Sequence, residues 1–231
     1  MIYLDNAATS LQKPKEVEEA VVRAFHTMGN PGRGAHEATL QAGRCVYQVR
    51  EQLAELFHAE NGAQIAFTLN ATEALNTTIF GLFHKGDHVI TTVCEHNSVL
   101  RPLYRLQEEG VEVSFLSADR NGVLEYEKLP DLVKEKYERN HSYACVQSHR
   151  KYYGSGKKSG RLQSAEICFL WWTDRRRPEF CRWMCRNRES NVFCFTGHKG
   201  LLGPQGTGGL YVRPGVEICP IEGWRKAVST V

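Results

Sequence analysis

The stretch Asn191–Pro214, "NVFCFTGHKGLLGPQGTGGLYVRP", reads as two strands joined by a glycine-rich turn. "VFCF" is an apolar run, "TGH" is a polar break, and Lys199 follows at once. A strand-end lysine in a partly dry site has a depressed pKa and can form a Schiff base. Gly197 and Gly200 let backbone approach a ligand closely, and Thr196 and His198 can donate to phosphate oxygens. A single lysine is far more often a solvated surface residue, so the meaning of Lys199 rests on what surrounds it.

Working outward, the chain alternates between two periodicities. "KPKEVEEAVVRAFHTMG" has helical spacing, with Val17, Val21, Ala24, Phe25 and Met28 on one face and Gly29 as the stop. "EATLQAGRCVYQVREQLAELFHA" predicts a longer amphipathic helix with a stripe of Leu40, Cys45, Val49, Leu53 and Leu56. "AQIAFTLN", "DHVITTVCEH" and "VEVSFLSA" read as strands. "ATEALNTTIFGLF", "SVLRPLYRLQEEG" and "EYEKLPDLVKE" read as the helical segments between and after them, Gly110 ending the second. This order predicts an α/β fold: a mainly parallel sheet with helices on both faces. Ligands of such sheets sit at the carboxyl ends of strands. That rule puts "TLNATEAL" and "TTVCEHNS" on a binding rim.

Composition narrows the function classes. A chain of 231 residues suits one large domain or two small ones. It has no run of ~18 apolar residues, so no membrane span is expected, and "MIYLDNAATS" carries no secretory signal pattern. The eight cysteines show neither CxxC nor zinc-type spacing, so no metal site and a reduced, cytoplasmic setting are expected. The net charge of +3 hides a contrast. Residues 136–190 carry nine Arg and four Lys against five acidic residues, a local +8 that leaves −5 for the rest. The positive charge has no nucleic-acid-binding motif around it, so nucleic acid is not expected as a partner.

Two rim elements join Lys199. At Asn70-Ala71-Thr72 a strand gives way to a helix, whose N-terminal N–H groups form an anion site to which Thr72 adds a hydroxyl. The same residues also read as an ordinary helix cap. His96 lies just past a strand, where its ring can stack on a planar cofactor or serve as a hydrogen-bonded structural residue. Cys194 and Cys94 read as small buried hydrophobes. Together the rim offers a phosphate cradle, a flat stacking face and an amine nucleophile.

"YLDNAATS", "TLNATEALN", "EHNSVLRPL" and "FTGHKGLLGPQGTGGLYVR" resemble motifs of the class V aminotransferase superfamily, in particular cysteine desulfurases. The resemblance covers residues 1 to about 135 and again 191 to about 220. It implies pyridoxal 5'-phosphate as cofactor, held covalently by Lys199, with His96 stacked on its ring. Ala71, Thr72, His198 and Thr196 would hold the phosphate. Asn6, Ala7 and Ala8 would line the substrate side, and His36 would lie near the entrance. The implied reaction is L-cysteine to L-alanine plus enzyme-bound sulfur, in a homodimer that hands sulfur to an acceptor protein. Selenocysteine lyase or another class V aminotransferase shares these motifs.

The resemblance also exposes a gap. The family's ring-nitrogen Asp and ring-hydroxyl Gln, carried on a run like "VDGAQTAGILPVDV", do not appear in residues 136–190. That segment holds three of the four Trp and four of the eight Cys. "ICFLWW" alone reads as a strand. Codons can be chosen for "PEFCRWMCRN" that spell Gly-Ile-Leu-Pro-Val-Asp-Val-Gln-Glu in another frame, the central Asp-Val pair being forced by Trp183-Met184-Cys185. The expectation is that residues 136–190 are translated out of frame between compensating shifts, a genuine insertion being the alternative. The expected organisation is a partial cofactor-binding domain over 1–223, with 224–231 as a non-family tail and the C-terminal small domain absent. Such a chain would bind the cofactor weakly and turn over little. A non-enzymatic pseudogene remnant is the third reading.

Overall fold

The computed structural model describes residues 2–5, 8–132, 142–144 and 192–219. In chain order the elements are α1 (Lys15–Thr27), α2 (Glu37–Phe57), β1 (Ile65–Thr68), α3 (Ala71–Leu82), β2 (His88–Thr92), α4 (Asn97–Glu108), β3 (Glu112–Leu116), α5 (Leu129–Leu132), β4 (Ser142–Ala144), β5 (Val192–Thr196) and β6 (Gly208–Val212). Asn6 and Ala7, the "ICFLWW" strand, nearly all of the 136–190 segment and the 224–231 tail lie outside the described residues.

The chain forms two compact units. The first contains residues up to 71 and 195–214. Its β1 and β6 pair antiparallel, Ile65 opposite Tyr211 through Thr68 opposite Gly208, within the strand order β1-β6-β5. An antiparallel ladder of this kind is compatible with the mainly parallel arrangement expected, mixed sheets being common among α/β folds. The core gathers Ala54, Phe57, Ile65, Phe195 and Leu210, all at most 5% exposed. The Phe57 and Phe195 rings meet at 5.0 Å with a 52° tilt, a favoured geometry for aromatic pairs.

Two helix faces differ from expectation. On α2 the buried residues are Thr39, Ala42, Ala54 and Phe57, while Leu40 and Val49 are exposed. The small side chains at 39, 42 and 54 allow close packing, so the buried line follows them rather than the larger aliphatics. On α1, Val17, Val21, Ala24 and Met28 are half-buried but Phe25 is 84% exposed. At 100° per residue Phe25 falls at the edge of that stripe. The strand expected from Ala63 begins at Ile65. Asn61 and Gln64 close a capping box around a 3-10 turn at Gly62–Gln64, which holds those residues out of the ladder.

The second unit contains residues 72–132, 142–144, 192–194 and 215–219 among those described. Here the parallel sheet appears as expected: β2 pairs in parallel with β3, from His88 opposite Glu112 to Thr92 opposite Leu116. It also pairs in parallel with β4, from His88 opposite Ser142. All five β2 residues are buried. The His88 ring satisfies Nε2 on the Ser114 hydroxyl of the neighbouring strand at 2.8 Å. Ala74, Leu75, Ile79, Val89, Ile90, Val99, Leu103 and Phe193 fill the core. No helix among the described residues is long and apolar enough to cross a membrane.

Candidate functional site

In the first unit, β5 delivers its last residue, Thr196, 1% exposed, into a turn that carries Gly197, His198 and Lys199. The turn is pinned at its base. The Gly197 N–H donates to the Thr207 carbonyl and the Gly203 N–H to the Gly197 carbonyl, both at 2.7 Å. A Cβ at Gly197 would collide with the Thr207 side chain, so the close approach of the two backbones requires glycine. Leu202 then takes a left-handed conformation at φ 58°, and its N–H donates to the Lys199 carbonyl at 3.1 Å.

Thr196 Oγ1 and His198 Nδ1 stand 3.0 Å apart. Burial first, then the charges of Lys199 and Lys13, push the His198 imidazole below its ordinary pKa. A neutral imidazole keeps one N–H donor and one acceptor nitrogen. Lys199 is half-buried. Thr196, His198 and Lys199, each singled out by the sequence, therefore share one turn.

Three residues that sequence reasoning passed over meet the same turn: Thr9, Ser10 and Lys13. The His198 carbonyl accepts from the Ser10 N–H at 3.2 Å, from Thr9 Oγ1 at 3.3 Å and from Lys13 Nζ at 3.1 Å. Ser10 Oγ donates to the Lys199 carbonyl at 2.8 Å. The available signal was the Lys13-Pro14 pair. The residue before proline is steered away from helical backbone, which keeps Lys13 outside α1.

Ala8 is exposed in the turn before this segment, its N–H donating to the Asp5 carbonyl at 3.1 Å. His36 stands at the start of α2, with Nε2 3.1 Å from Thr39 Oγ1. Its carbonyl accepts from the N–H groups of Thr39 and Leu40 at 3.0 and 3.1 Å. Ala71 opens α3 and is buried at 1% exposure.

In the second unit, Thr72 follows in the first turn of α3 with its side chain exposed. Its carbonyl accepts from the Asn76 side chain at 2.7 Å. The strand expected through His96 stops at Thr92. There the side chain takes over the bonding: Thr92 Oγ1 donates to Glu95 Oε1 at 2.8 Å and accepts from the Cys94 N–H at 3.3 Å. His96 then caps α4, its Nδ1 accepting from the Ser98 N–H at 3.1 Å and lying 2.8 Å from Ser98 Oγ. An acceptor role at Nδ1 assigns the proton of the neutral ring to Nε2. The ring is exposed, with its plane fixed from one edge. Tyr126 lies nearby; burial, then Glu95 and Cys94, push its phenol above the usual range.

Cys194 is fully buried on β5, with its Sγ 3.6 Å from Thr78 Oγ1. Burial pushes its thiol up to about 12, so it stays protonated and unreactive at neutral pH. This agrees with its reading as a small buried hydrophobe. Among the described residues no group of three or more His, Cys, Asp or Glu is placed to hold a metal ion.

The Aminotransferase class-V family profile matches residues 2–147. A "Probable cysteine desulfurase" of Methanothermobacter thermautotrophicus is 33% identical over 219 residues, covering 94% of this chain and 54% of its own length. Cysteine desulfurase IscS of Vibrio campbellii is 39% identical over 140 residues, covering 58% of this chain and 34% of its own length. Among solved structures, the apo cysteine desulfurase of Thermococcus onnurineus NA1 is similar with a TM-score of 0.72 at 29% identity, covering 92% of this chain and 54% of that one. The chain spans about half, or less, of the length of these relatives.

Proposed function

The chain belongs to the class-V aminotransferase family, and from that membership we propose that it is the cofactor-binding part of a pyridoxal phosphate-dependent cysteine desulfurase. The observation that carries this reading is the Lys199 turn. One half-buried lysine stands on a backbone pinned at Gly197, next to a Thr196–His198 pair able to meet an anion.

Each of these residues has a chemistry that suits the group. Lys199 supplies the amine for the cofactor aldehyde. His198 and Thr196 supply phosphate donors, as do the Ala71 and Thr72 N–H groups at the start of α3. His96 offers an exposed ring whose Nδ1 is tied to Ser98. Bound pyridoxal phosphate supplies an electron sink for bond breaking at the α-carbon of an amino acid. Lys199 would be the base available to move the α-proton of the substrate. Asn6, Ala7, Ala8 and His36 are assigned to the substrate side.

The substrate of this reading is L-cysteine, converted to L-alanine and bound sulfur by a cytoplasmic homodimer that serves a sulfur acceptor. Cysteine desulfurases dominate the relatives above, and a similar solved structure, at TM-score 0.76 and 25% identity, is "SspA in complex with cysteine". The test is direct. Pyridoxal phosphate added to the purified protein gives an absorption band that Lys199→Ala abolishes; a band that survives the substitution overturns the reading.

Residues 136–190 bear on turnover. We read them as an out-of-frame segment within a domain reaching about residue 223, on the ground of their excess of Arg, Trp and Cys. The Asp and Gln that would tune the cofactor ring are not written there, so cofactor binding is expected to outlast turnover: weak loading and little sulfide from cysteine. Sequencing the gene in close relatives tests the frame. A continuous frame encoding these same residues would sink the idea.

A further inference from the structure

The segment Thr9–Lys13 is fastened to the backbone on both sides of the Lys199 side chain. Three donors converge on the carbonyl that precedes it, that of His198: the Ser10 N–H, Thr9 Oγ1 and Lys13 Nζ, at 3.2, 3.3 and 3.1 Å. The carbonyl that follows it, Lys199's own, accepts from Ser10 Oγ at 2.8 Å and from the Leu202 N–H at 3.1 Å. Ser10 is 2% exposed. Its two bonds are sheltered from water, where a lost partner costs most. The Lys13 bond is charge-assisted, the stronger class.

These bonds act on position. The two peptide planes that flank the Lys199 Cα set where its side chain starts and which way it points. The Gly197 bonds fix the near end of the turn, and the donors from Thr9, Ser10, Lys13 and Leu202 act on those two planes. An amine that must meet one carbon atom loses steeply when its base is displaced by about 1 Å.

We infer that Ser10 and Lys13 are positioning residues for Lys199, a strap that holds the turn in the geometry its amine needs to engage an aldehyde. The inference rests on the proposed role of Lys199. Lys13 stands just before the Pro14 cap of α1, where the residue preceding proline is steered away from helical backbone. The depressed imidazole of His198, to which Lys13 contributes, is consistent with an ammonium held near the turn.

The experiment compares Lys13→Met, Lys13→Arg and Ser10→Ala with wild type, and uses Lys15→Met, a surface change outside the strap, as control. Cofactor affinity is read from the Lys199-dependent absorption band during pyridoxal phosphate titration. Thermal midpoints are taken on the cofactor-free proteins. Lys13→Met and Ser10→Ala should each weaken affinity about 10-fold; the Lys13→Met midpoint should stay near that of the control, while Ser10→Ala, which loses a sheltered bond, should melt lower. Lys13→Arg, which keeps a cationic donor, should retain most of it. Wild-type affinity in Lys13→Met, or an Lys13→Arg as defective as Lys13→Met, overturns the strap. If wild type shows no such band, the proposed function fails instead, and the strap is judged by amide exchange in the cofactor-free protein. Faster exchange at Ser10 and Leu202 in Lys13→Met then supports it, and unchanged exchange overturns it.

Discussion

Ser10 Oγ donates to the carbonyl of Lys199 at 2.8 Å across 189 positions of sequence. That bond joins the first motif of the chain to the last of those described. It explains why "YLDNAATS" and "FTGHKG" both matter to one turn, although the first supplies no group with the chemistry of an amine. The N-terminal segment supports the backbone from which that chemistry is done.

The same close packing predicts that Gly208 cannot be replaced. A Cβ there would lie 2.7 Å from Asn70 Cα, and 2.8 Å from both the Asn70 carbonyl carbon and the Phe195 oxygen. All three are backbone atoms in or beside a sheet and cannot swing aside. Gly208→Ala should destabilise the protein by about 1–3 kcal/mol, the usual cost of overpacking, measured by urea unfolding. Gly206→Ala is the contrast: nothing lies within 4 Å of its Cβ, so its cost should come only from its positive φ.

His198 should make stability fall in mild acid. Its folded pKa lies below the ordinary 6.5, first because of burial, then because of Lys199 and Lys13. The unfolded chain therefore binds the proton more readily than the folded one, and stability is lost as pH drops through and below 6.5. His198→Asn should flatten that part of the curve. Urea midpoints between pH 7.5 and 5 check it; an unchanged slope in the variant would exclude His198 as the source.

Much of this architecture was legible in sequence because it is local. The apolar runs of β2 and β5 and the periodicity of α4 are patterns over a few residues. Lys199, His96 and Thr72 were reached through motifs. What could not be read was set by partners far away or by small residues. The packed face of α2 runs through Thr39, Ala42 and Ala54, which a search for large aliphatics overlooks. The end of β2 depends on Thr92 choosing Glu95 as its partner. Ser10 and Lys13 look like ordinary polar residues until the turn 189 positions from Ser10 is brought to them.

Cys194 should be inert despite lying five positions before Lys199. Its thiol is raised from 9.0 to about 12, mainly by burial. Below pH 9 it is protonated in both states and contributes no pH dependence. Between 9 and about 12 only the unfolded chain releases the proton, so stability declines as pH rises across that window. Iodoacetamide at pH 8, followed by peptide mapping, should leave Cys194 unmodified until denaturant is added. Labelling in the native state would contradict its burial.

His96 carries two roles that substitution can separate. Its Nδ1 caps α4 by accepting from the Ser98 N–H, and its ring is assigned to stack on the cofactor. His96→Ala removes both, so it should cost about 1 kcal/mol of stability, typical of a lost cap, and also alter the cofactor absorption band. His96→Asn keeps a side-chain acceptor at the cap position, one of the preferred residues there, but has no ring. It should restore stability without restoring the band. Thermal melts and pyridoxal phosphate titration of the two variants read the roles independently. If His96→Asn recovered a wild-type band, the cap alone would account for His96 and the stacking assignment would fall.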